Sequence, residues 1–562
     1  MSEAVGRVLG TLDSMPLEFW VGVEEGQYLQ LDDVVEVTTS LPDSTEVRLF
    51  GVVDLVRARH EGARFDSDVF LVEKGVLPAT VAHAAHVAVT RVEPEIFVPP
   101  RPGQPVRRAR GALRDQALFF DGMERRVPIG LSRDGEPVFA NLDFLDGSRG
   151  AHVNISGISG VATKTSYATF LLHGLFRSGA LAGEAANTHA IVFNVKGEDL
   201  LFLDKPNTRL KAEDRAAYAK LGLPAEAFDS VQVLAPVRRG SRERMPSTQS
   251  RGEGVRSFFW TLREVVSERL LRFLFAEAED ASSQIAFVCD QVEARLAGCL
   301  DVGTPKDPWV EIEGERVETF DHFVEVLTRR RLEDDERSLV ELWVSRAAHG
   351  TVAAFERRLH AAAHHVGHLV RGRDVGRRDE HRLDWRAKQV SVVDIHTLHD
   401  RAKRFVVGAV LKRMFEEKEG QGTARPLVFV VLDELNKYAP REGSGPIKEV
   451  LLDISERGRS LGIVLVGAQQ TASEVESRIV ANAALRVVGR LDTAEAGRPE
   501  YGFLSAAGRG RAGILKPGTM IVHQPEIPTP LLLRFPFPAW ATRKSEAATV
   551  PVPAEVFRGF TQ

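Results

Sequence analysis

Cysteine is almost missing from this 562-residue chain, which holds only Cys289 and Cys299. So few thiols exclude a disulfide framework. No His or Cys stands at metal-ligand spacing around them, so a thiolate zinc site is excluded as well. Both fall in a helix-like stretch, and the expectation is a pair of buried free thiols in reducing, cytoplasmic surroundings. Long hydrophobic runs are missing too. No apolar stretch approaches the roughly 18 residues that span a bilayer, and the opening "MSEAVGRVLG" carries no apolar signal region. The expectation is a soluble protein without a membrane partner. An excess of positive charge is also lacking: the net charge is −5, so nothing global advertises nucleic acid. A local basic surface stays open, because arginine is plentiful and patchy.

What remains is ordinary globular material, 43% apolar and 27% charged. The length is too great for one core and implies about two to four domains. Residues 1–100 read as a small β-barrel or sandwich. "VGRVLGTL", "EFWVGV", "YLQLDDVVEVTT", "EVRLFGVVDLV" and "HVAVTRV" are short, valine-rich and partly alternating, with Gly, Asp and Pro between them. "PEIFVPPRPGQPVRRARG" holds five prolines and, through residues 101–130, reads as a Pro/Arg-rich linker. From about residue 131 the pattern changes to strand, loop, helix, strand: "HVNIS", a glycine loop, "KTSYATFLLHGLF", "HAIVFNV". That order implies a parallel α/β sheet. Residues 240–388 read as a mainly helical insertion. Residues 389–540, with "VSVVDIHTL", "PLVFVVLDEL" and "LGIVLVGAQ", resume the sheet, and 541–562 form a tail. The end of the insertion, "RGRDVGRRDEHRLDWRAK", reads as a solvated loop or as a patch facing DNA or a subunit.

Three segments carry chemistry. "GISGVATKTS", Gly157 to Ser166, nearly spells the phosphate-binding pattern G-x-x-x-x-G-K-[ST], but Thr163 stands where the last glycine belongs. By itself the reduced pattern decides little: about a quarter of chains this long would hold it by chance. Its context is better, since a strand precedes it and a helix begins at about Lys164. Backbone N–H groups and a helix N-terminus then point at an anion. In that reading Lys164 reaches phosphates and Thr165 ligates Mg²⁺; the alternative is a tight turn with an exposed lysine. The second segment, "LVFVVLDELNKYAP", ends an apolar strand in Asp433-Glu434. Two adjacent carboxylates there are either a metal-holding acid followed by a water-activating one, or solvated acids at a strand end. The third, "RGRSLGIVLVGAQQTASEV", has Arg457 and Arg459 before a strand that ends in Gln469-Gln470. The amides are candidates for sensing a terminal phosphate. The arginines are either fingers for a neighbour's site or a surface helix end. The acidic and amide strands lie roughly 30 residues apart, the spacing of adjacent strand–helix units in a parallel sheet. In that order the three segments favour a nucleotide-hydrolysing α/β core.

On these residues the chain resembles the HerA–FtsK superfamily of hexameric DNA-pumping ATPases, and its HerA branch in particular. "HVNISGISGVATKTSYATFLL" takes the place of the Walker A strand, loop and helix, and "VVLDELNKYAP" that of the Walker B strand. "IVFNVKGEDLLFLD" and "LKPGTMIVHQPEIPTPLLLRFPFP" are similar to the second-strand and closing segments. "ERGRSLGIVLVGAQQTASEVESRIVANAALRVVGRL" is the most specific match. The resemblance implies a RecA/FtsK-like P-loop core with a parallel-type sheet, an N-terminal barrel and a helical insertion. It implies ATP and Mg²⁺ as cofactors, held by Gly157, Ser159, Gly160, Val161, Ala162, Thr163, Lys164, Thr165 and Ser166. Thr165 and Asp433 would serve the metal, and Glu434 would be the catalytic base. Gln470 would be the sensor ahead of Gln469, and Arg459 or Arg457 would act in trans, with Arg149 a further candidate. It also implies a homo-hexamer moving double-stranded DNA, with a partner nuclease or defence effector docked on the barrel. The departure at Thr163 bears on turnover, because a branched Cβ takes up room where the backbone meets phosphate. A slow ring scaffold that activates an effector is therefore the second expectation.

Overall fold

The computed structural model describes residues 3–547 except 64, 159–163, 242–243, 276–283, 300–302, 305–306, 309, 318, 332–335, 345 and 372–379. These fold into two compact units. One comprises Met1–Phe144, Gly157–Thr163 and Ala484–Phe535; the other Leu145–Ser156, Lys164–Ala483 and Pro536–Gln562.

In the first unit, β1 (Ala4–Val8), β2 (Glu18–Val23), β3 (Val34–Ser40), β4 (Glu46–Glu61), β5 (Thr80–Glu93) and β6 (Pro105–Arg108) close into a barrel. The order is β1-β2-β5-β4-β3-β6, and every neighbouring pair is antiparallel. Alternate residues fill its interior, among them Val5, Phe19, Val21, Val35, Val37, Leu49 and Val87. Helix α1 (Asp68–Glu73) lies in the β4–β5 connection, and α2 (Ala112–Ala117) follows β6. The same unit holds antiparallel strands in the order β22 (Leu485–Val488), β23 (Thr519–His523), β24 (Leu531–Arg534), β7 (Arg126–Leu131), β8 (Pro137–Asn141). Short helices α14 (Thr493–Ala496) and α15 (Ala506–Ala512) connect them, and Arg511 of α15 ties back to Asp32 beside the barrel at 2.9 Å.

One expectation is corrected here. Residues 101–130, whose prolines predict a linker, supply the sixth barrel strand, helix α2 and the start of β7. Pro105 is compatible with pairing because it is the first residue of β6, where a missing N–H costs little.

The second unit is built on seven parallel strands. They are β9 (Val153–Ser156), β10 (His189–Asn194), β11 (Val231–Pro236), β12 (Val255–Phe258), β19 (Val390–Asp394), β20 (Val428–Asp433) and β21 (Ile463–Gln469). The order across the sheet is β12-β11-β19-β10-β20-β21-β9. Helices α3 (Lys164–Arg177), α4 (Ala212–Lys220), α10 (Asp400–Gln421), α11 (Leu435–Tyr438), α12 (Pro446–Leu461) and α13 (Ser477–Ala481) connect or follow them. All seven residues of β21, and all but the last of β20, are buried. Strands covered on both faces read as unbroken apolar runs, which is why these two are legible in the sequence. Helix α12 ends at Gly462 with φ +69°, and a Cβ there would meet the Ala424 carbonyl oxygen at 1.9 Å. Only glycine fits that turn.

Between β12 and β19 lie α5 (Leu262–Ser267), α6 (Gln284–Ala297), α7 (Phe320–Thr328), α8 (Leu339–Trp343) and α9 (His349–Val366). Short ribbons accompany them: β13 (Trp260–Thr261) with β18 (Val370–Arg371), β14 (Gly303–Thr304) with β15 (Asp307–Pro308), and β16 (Val310–Ile312) with β17 (Glu315–Val317). A second correction falls on the start of this block. The apolar spacing of "VRSFFW" predicts helix, yet Val255–Phe258 pairs with β11 in the parallel sheet. The helix begins only at Leu262, where Thr261 accepts from the Glu264 N–H at 3.2 Å and donates its own N–H to the Glu264 carboxylate at 2.8 Å. That capping box, T-L-R-E, is the sequence signal that marks the true boundary. Most of the arginine-rich end, 372–379, lies outside the described residues. The stretch just beyond it turns inward, since His381 and Arg382 both bind the buried Glu264 carboxylate, at 3.0 and 2.6 Å. Cys289 is buried on α6, Cys299 is half-buried, and both are free.

The chain is therefore α/β: a parallel-sheet core, a small N-terminal barrel and a largely helical block between β12 and β19. Among the described residues no helix is long and apolar enough to cross a membrane.

Candidate active site

All seven parallel strands end on the same edge of their sheet, where ligands of open α/β sheets bind. Strand β21 lies between β9 and β20, with Gln469 in register with Ser156 and Ala468 with Asp433. The strand that precedes the glycine loop and the strands that end in Asp433 and Gln469 therefore finish side by side.

Helix α3 starts at Lys164, which is 7% exposed. Burial draws the Lys164 ammonium below the usual lysine range, and the carboxylates of Asp433 and Glu434 partly offset this. Thr165, the next residue, donates its hydroxyl to Asp433 Oδ2 at 3.3 Å. The other oxygen of Asp433 accepts the Glu434 N–H at 2.8 Å, so the carboxyl is fixed from both sides. Ser166 continues the first turn of α3, and Thr169 donates to the Thr165 and Ser166 carbonyls at 2.9 Å each.

Glu434 adopts φ +56°, a left-handed conformation that a non-glycine residue holds only at a cost of order 1–3 kcal/mol. This turn lifts its carboxylate off the strand axis toward Lys196, with which it forms an ion pair, and Lys437 Nζ, at 2.9 Å. Burial pushes the Glu434 carboxyl up, but the two lysines outweigh it and hold the group below the usual carboxylate range.

The glutamine doublet splits between two environments. Gln469 is fully buried, and its amide nitrogen donates to Asn154 Oδ1 at 2.9 Å and Ser156 Oγ at 3.0 Å. Among the described residues its carbonyl oxygen is buried without a hydrogen-bond partner. Gln470, the expected sensor, is exposed at the strand end.

Arg457 and Arg459 sit exposed on the last turn of α12, and each has a partner within the chain. Arg457 pairs with Glu419 and lies over the Phe415 ring at 5.4 Å. Arg459 donates to the Gly147 and Ser148 carbonyls, both at 2.7 Å. Arg149 is exposed nearby in the chain. Gly157 follows β9 directly and lies in the other unit, against Gly489 and Arg490. Ser159, Gly160, Val161, Ala162 and Thr163 lie outside the described residues.

Four residues of this edge do not stand out in the sequence. Asn154 and Ser156 belong to what reads as an apolar strand, and alternate polar residues within "VNIS" are the available signal. Lys196 stands in a polar turn like many others. Asp394, at the end of β19, holds the Asn194 amide at 2.8 Å and the His396 ring at 2.6 Å.

A buried lysine at a helix start, a hydroxyl bonded to a strand-end acid and a second acid beside it form a set suited to an anion with a bound cation. Among the described residues no three side chains form a ready-made metal cage.

No family model matches the sequence, and neither does any curated protein. Solved structures with a similar course do exist. One is VirB4 of Thermoanaerobacter pseudethanolicus, with 15% identity over 73% of this chain and 96% of that one, at a TM-score of 0.44. Another is the plasmid coupling protein TrwB in complex with ADP and Mg²⁺, with 11% identity over 77% of this chain and 95% of that one, at a TM-score of 0.46. A third is the genome packaging NTPase B204 from Sulfolobus turreted icosahedral virus 2 in complex with ATP-gammaS. It shows 12% identity over 26% of this chain and 67% of that one, at a TM-score of 0.20.

Proposed function

We propose that this chain is an ATP-hydrolysing subunit of a hexameric ring that moves double-stranded DNA and works with a partner nuclease or defence effector docked on the barrel. The observation that carries the hydrolytic part is the Thr165–Asp433 hydrogen bond, formed beside the buried Lys164. It joins the loop-helix start to the acidic strand, as a site for a phosphate and its metal requires. Lys164 would bind the outer phosphates of ATP. Thr165 would ligate Mg²⁺ and Asp433 would assist it. The bound metal supplies charge neutralisation of the phosphates. Glu434 would take the proton of an attacking water. Gln469 has a buried carbonyl oxygen with no partner among the described residues and Gln470 an exposed amide, so the two suit positioning and sensing roles respectively. Arg459 or Arg457 would reach a neighbouring subunit's nucleotide. The DNA and the partner rest on the sequence resemblance.

A second reading has one observation in its favour: the Glu434 carboxylate is tied to two lysines, which suits slow turnover. In that reading the ring assembles and activates an effector with little hydrolysis. ATP turnover with and without double-stranded DNA, together with native mass, separates the two. A motor is stimulated by DNA and collapses in Glu434→Gln; a scaffold ignores DNA and still activates its effector in Glu434→Gln. Equal turnover in wild type and Lys164→Ala would overturn both.

A further inference from the structure

The lysine that binds Glu434 is delivered by a built turn rather than by chance proximity. Strand β10 ends at Asn194, whose amide nitrogen donates to the Gly197 carbonyl at 3.0 Å. Gly197 itself has φ +58°, a value that favours glycine. Asn194 is held in turn by Asp394 at 2.8 Å, its register partner on β19, and both are 1% exposed. Lys196 therefore stands on a three-residue turn fixed from underneath by buried groups. Its ammonium, half-exposed on a flexible stem, projects to the edge where β20 ends and pairs with Glu434.

Two features make this pairing a working arrangement. Glu434 keeps a left-handed backbone while accepting two ammonium groups, so its carboxylate has the opposite of what a base needs. Lys437 comes from the helix that Glu434 precedes, three residues on. Lys196 comes from a different strand, and its charge also reaches Lys164. Among the described residues the groups near Glu434 include Lys196, Lys437, Lys164, Asp433 and Tyr438, and of these Lys196 comes from another strand and also reaches the phosphate-binding lysine.

We infer that Lys196 serves two anions in turn, the Glu434 carboxylate and the outermost phosphate of a nucleoside triphosphate. Its transfer to the phosphate frees Glu434 to act as base only when a triphosphate is bound. The inference rests on the hydrolytic reading above and names the positioning residue of that site. A diphosphate, which lacks the outermost phosphate, leaves the pair in place. The exchange moves no covalent bond: one charge-assisted hydrogen bond is given up for another.

The test compares full-length wild type, Lys196→Ala and Lys437→Ala. Binding of ADP and of a non-hydrolysable ATP analogue is measured first, without turnover. In Lys196→Ala the analogue is expected to lose roughly tenfold in affinity, the size of one charge-assisted hydrogen bond, while ADP is unchanged. Lys437→Ala is expected to change neither. Equal loss for ADP and the analogue in Lys196→Ala, or no loss for either, would overturn the exchange. Failure of the underlying reading looks different, since Lys164→Ala and Glu434→Gln would then turn over like wild type.

Discussion

The hydroxyl of Thr165 meets the carboxylate of Asp433 at 3.3 Å although 268 residues separate them in the chain. The first turn of α3 and the end of β20 are bound together by that contact across the buried strand β21. Replacing Asp433 with Asn keeps the shape and removes the charge. The Mg²⁺ concentration for half-maximal hydrolysis should then rise roughly ten- to a hundredfold, the usual cost of losing a group that orients a metal's surroundings. An unchanged Mg²⁺ dependence would separate Asp433 from the metal.

Glu434→Gln should lower turnover by roughly 10²- to 10⁴-fold, the usual contribution of a general base. Nucleotide affinity should persist, because Lys164 and Thr165 are untouched. Single-turnover kinetics beside equilibrium binding checks both halves. A parallel loss of binding would mean that the substitution has disturbed the site rather than its chemistry.

Gln469→Leu and Gln470→Leu should part company. The first strands Asn154 and Ser156 with a lost donor in the interior, and about 1–3 kcal/mol of stability should go with it. The second changes an exposed side chain and should stay within about 0.5 kcal/mol. Chemical denaturation at neutral pH measures the difference. Equal stability in the two variants would contradict the buried amide network.

Acid should weaken the second unit through two buried histidines. His152 is buried, its Nδ1 accepts the Leu465 N–H at 3.0 Å, and its Nε2 meets the Ser455 carbonyl at 3.1 Å. Burial draws its pKa down to about 4. Burial does the same for His173, also to about 4, where the ring lies against Trp540 and Phe228. Both folded values lie below the unfolded one, so the unfolded chain binds more protons on acidification. Their contribution is complete above the ordinary histidine range and falls away as pH drops toward 4. At pH 5.5 the loss relative to pH 7.5 is roughly 1 kcal/mol for each histidine. The urea midpoint should fall over that interval, and a flat midpoint would contradict their neutral burial.

If Arg459 serves a neighbouring subunit, inactive Lys164→Ala and Arg459→Ala chains mixed together should recover part of the activity. A mixed ring contains some interfaces with an intact Lys164 on one side and an intact Arg459 on the other. No recovery at any mixing ratio, with mixed rings shown by native mass, would confine Arg459 to its bonds with Gly147 and Ser148.

The sheet that carries the site is legible in the sequence because β20 and β21 are buried on both faces, so their apolar runs are unbroken. Asp433-Glu434 stands out because paired acids end such a run. The barrel strands show through their alternation, except β6, whose flanking prolines imitate a linker. Val255–Phe258 escapes notice because a short strand beside a helix offers no period of its own, and only the capping box at Thr261 marks the boundary. Lys196 is illegible for a different reason. Its meaning lies in Asn194, Gly197 and Asp394, which bring a turn to Glu434 from two other strands, and no local pattern records that meeting.

Successive side chains of a strand leave it on opposite sides, and a shift of one residue exchanges them. In β21 the register with β9 sends Gln469 inward, while Gln470 follows at the exposed end. Deletion of one residue earlier in β21 would bring the second glutamine to the inner seat, opposite Ser156, with the same amide and the same reach. No such spare follows Lys164 or Asp433, whose next residues are Thr165 and Glu434. Two identical letters in a row thus give this strand a tolerance for misalignment that the rest of the edge lacks.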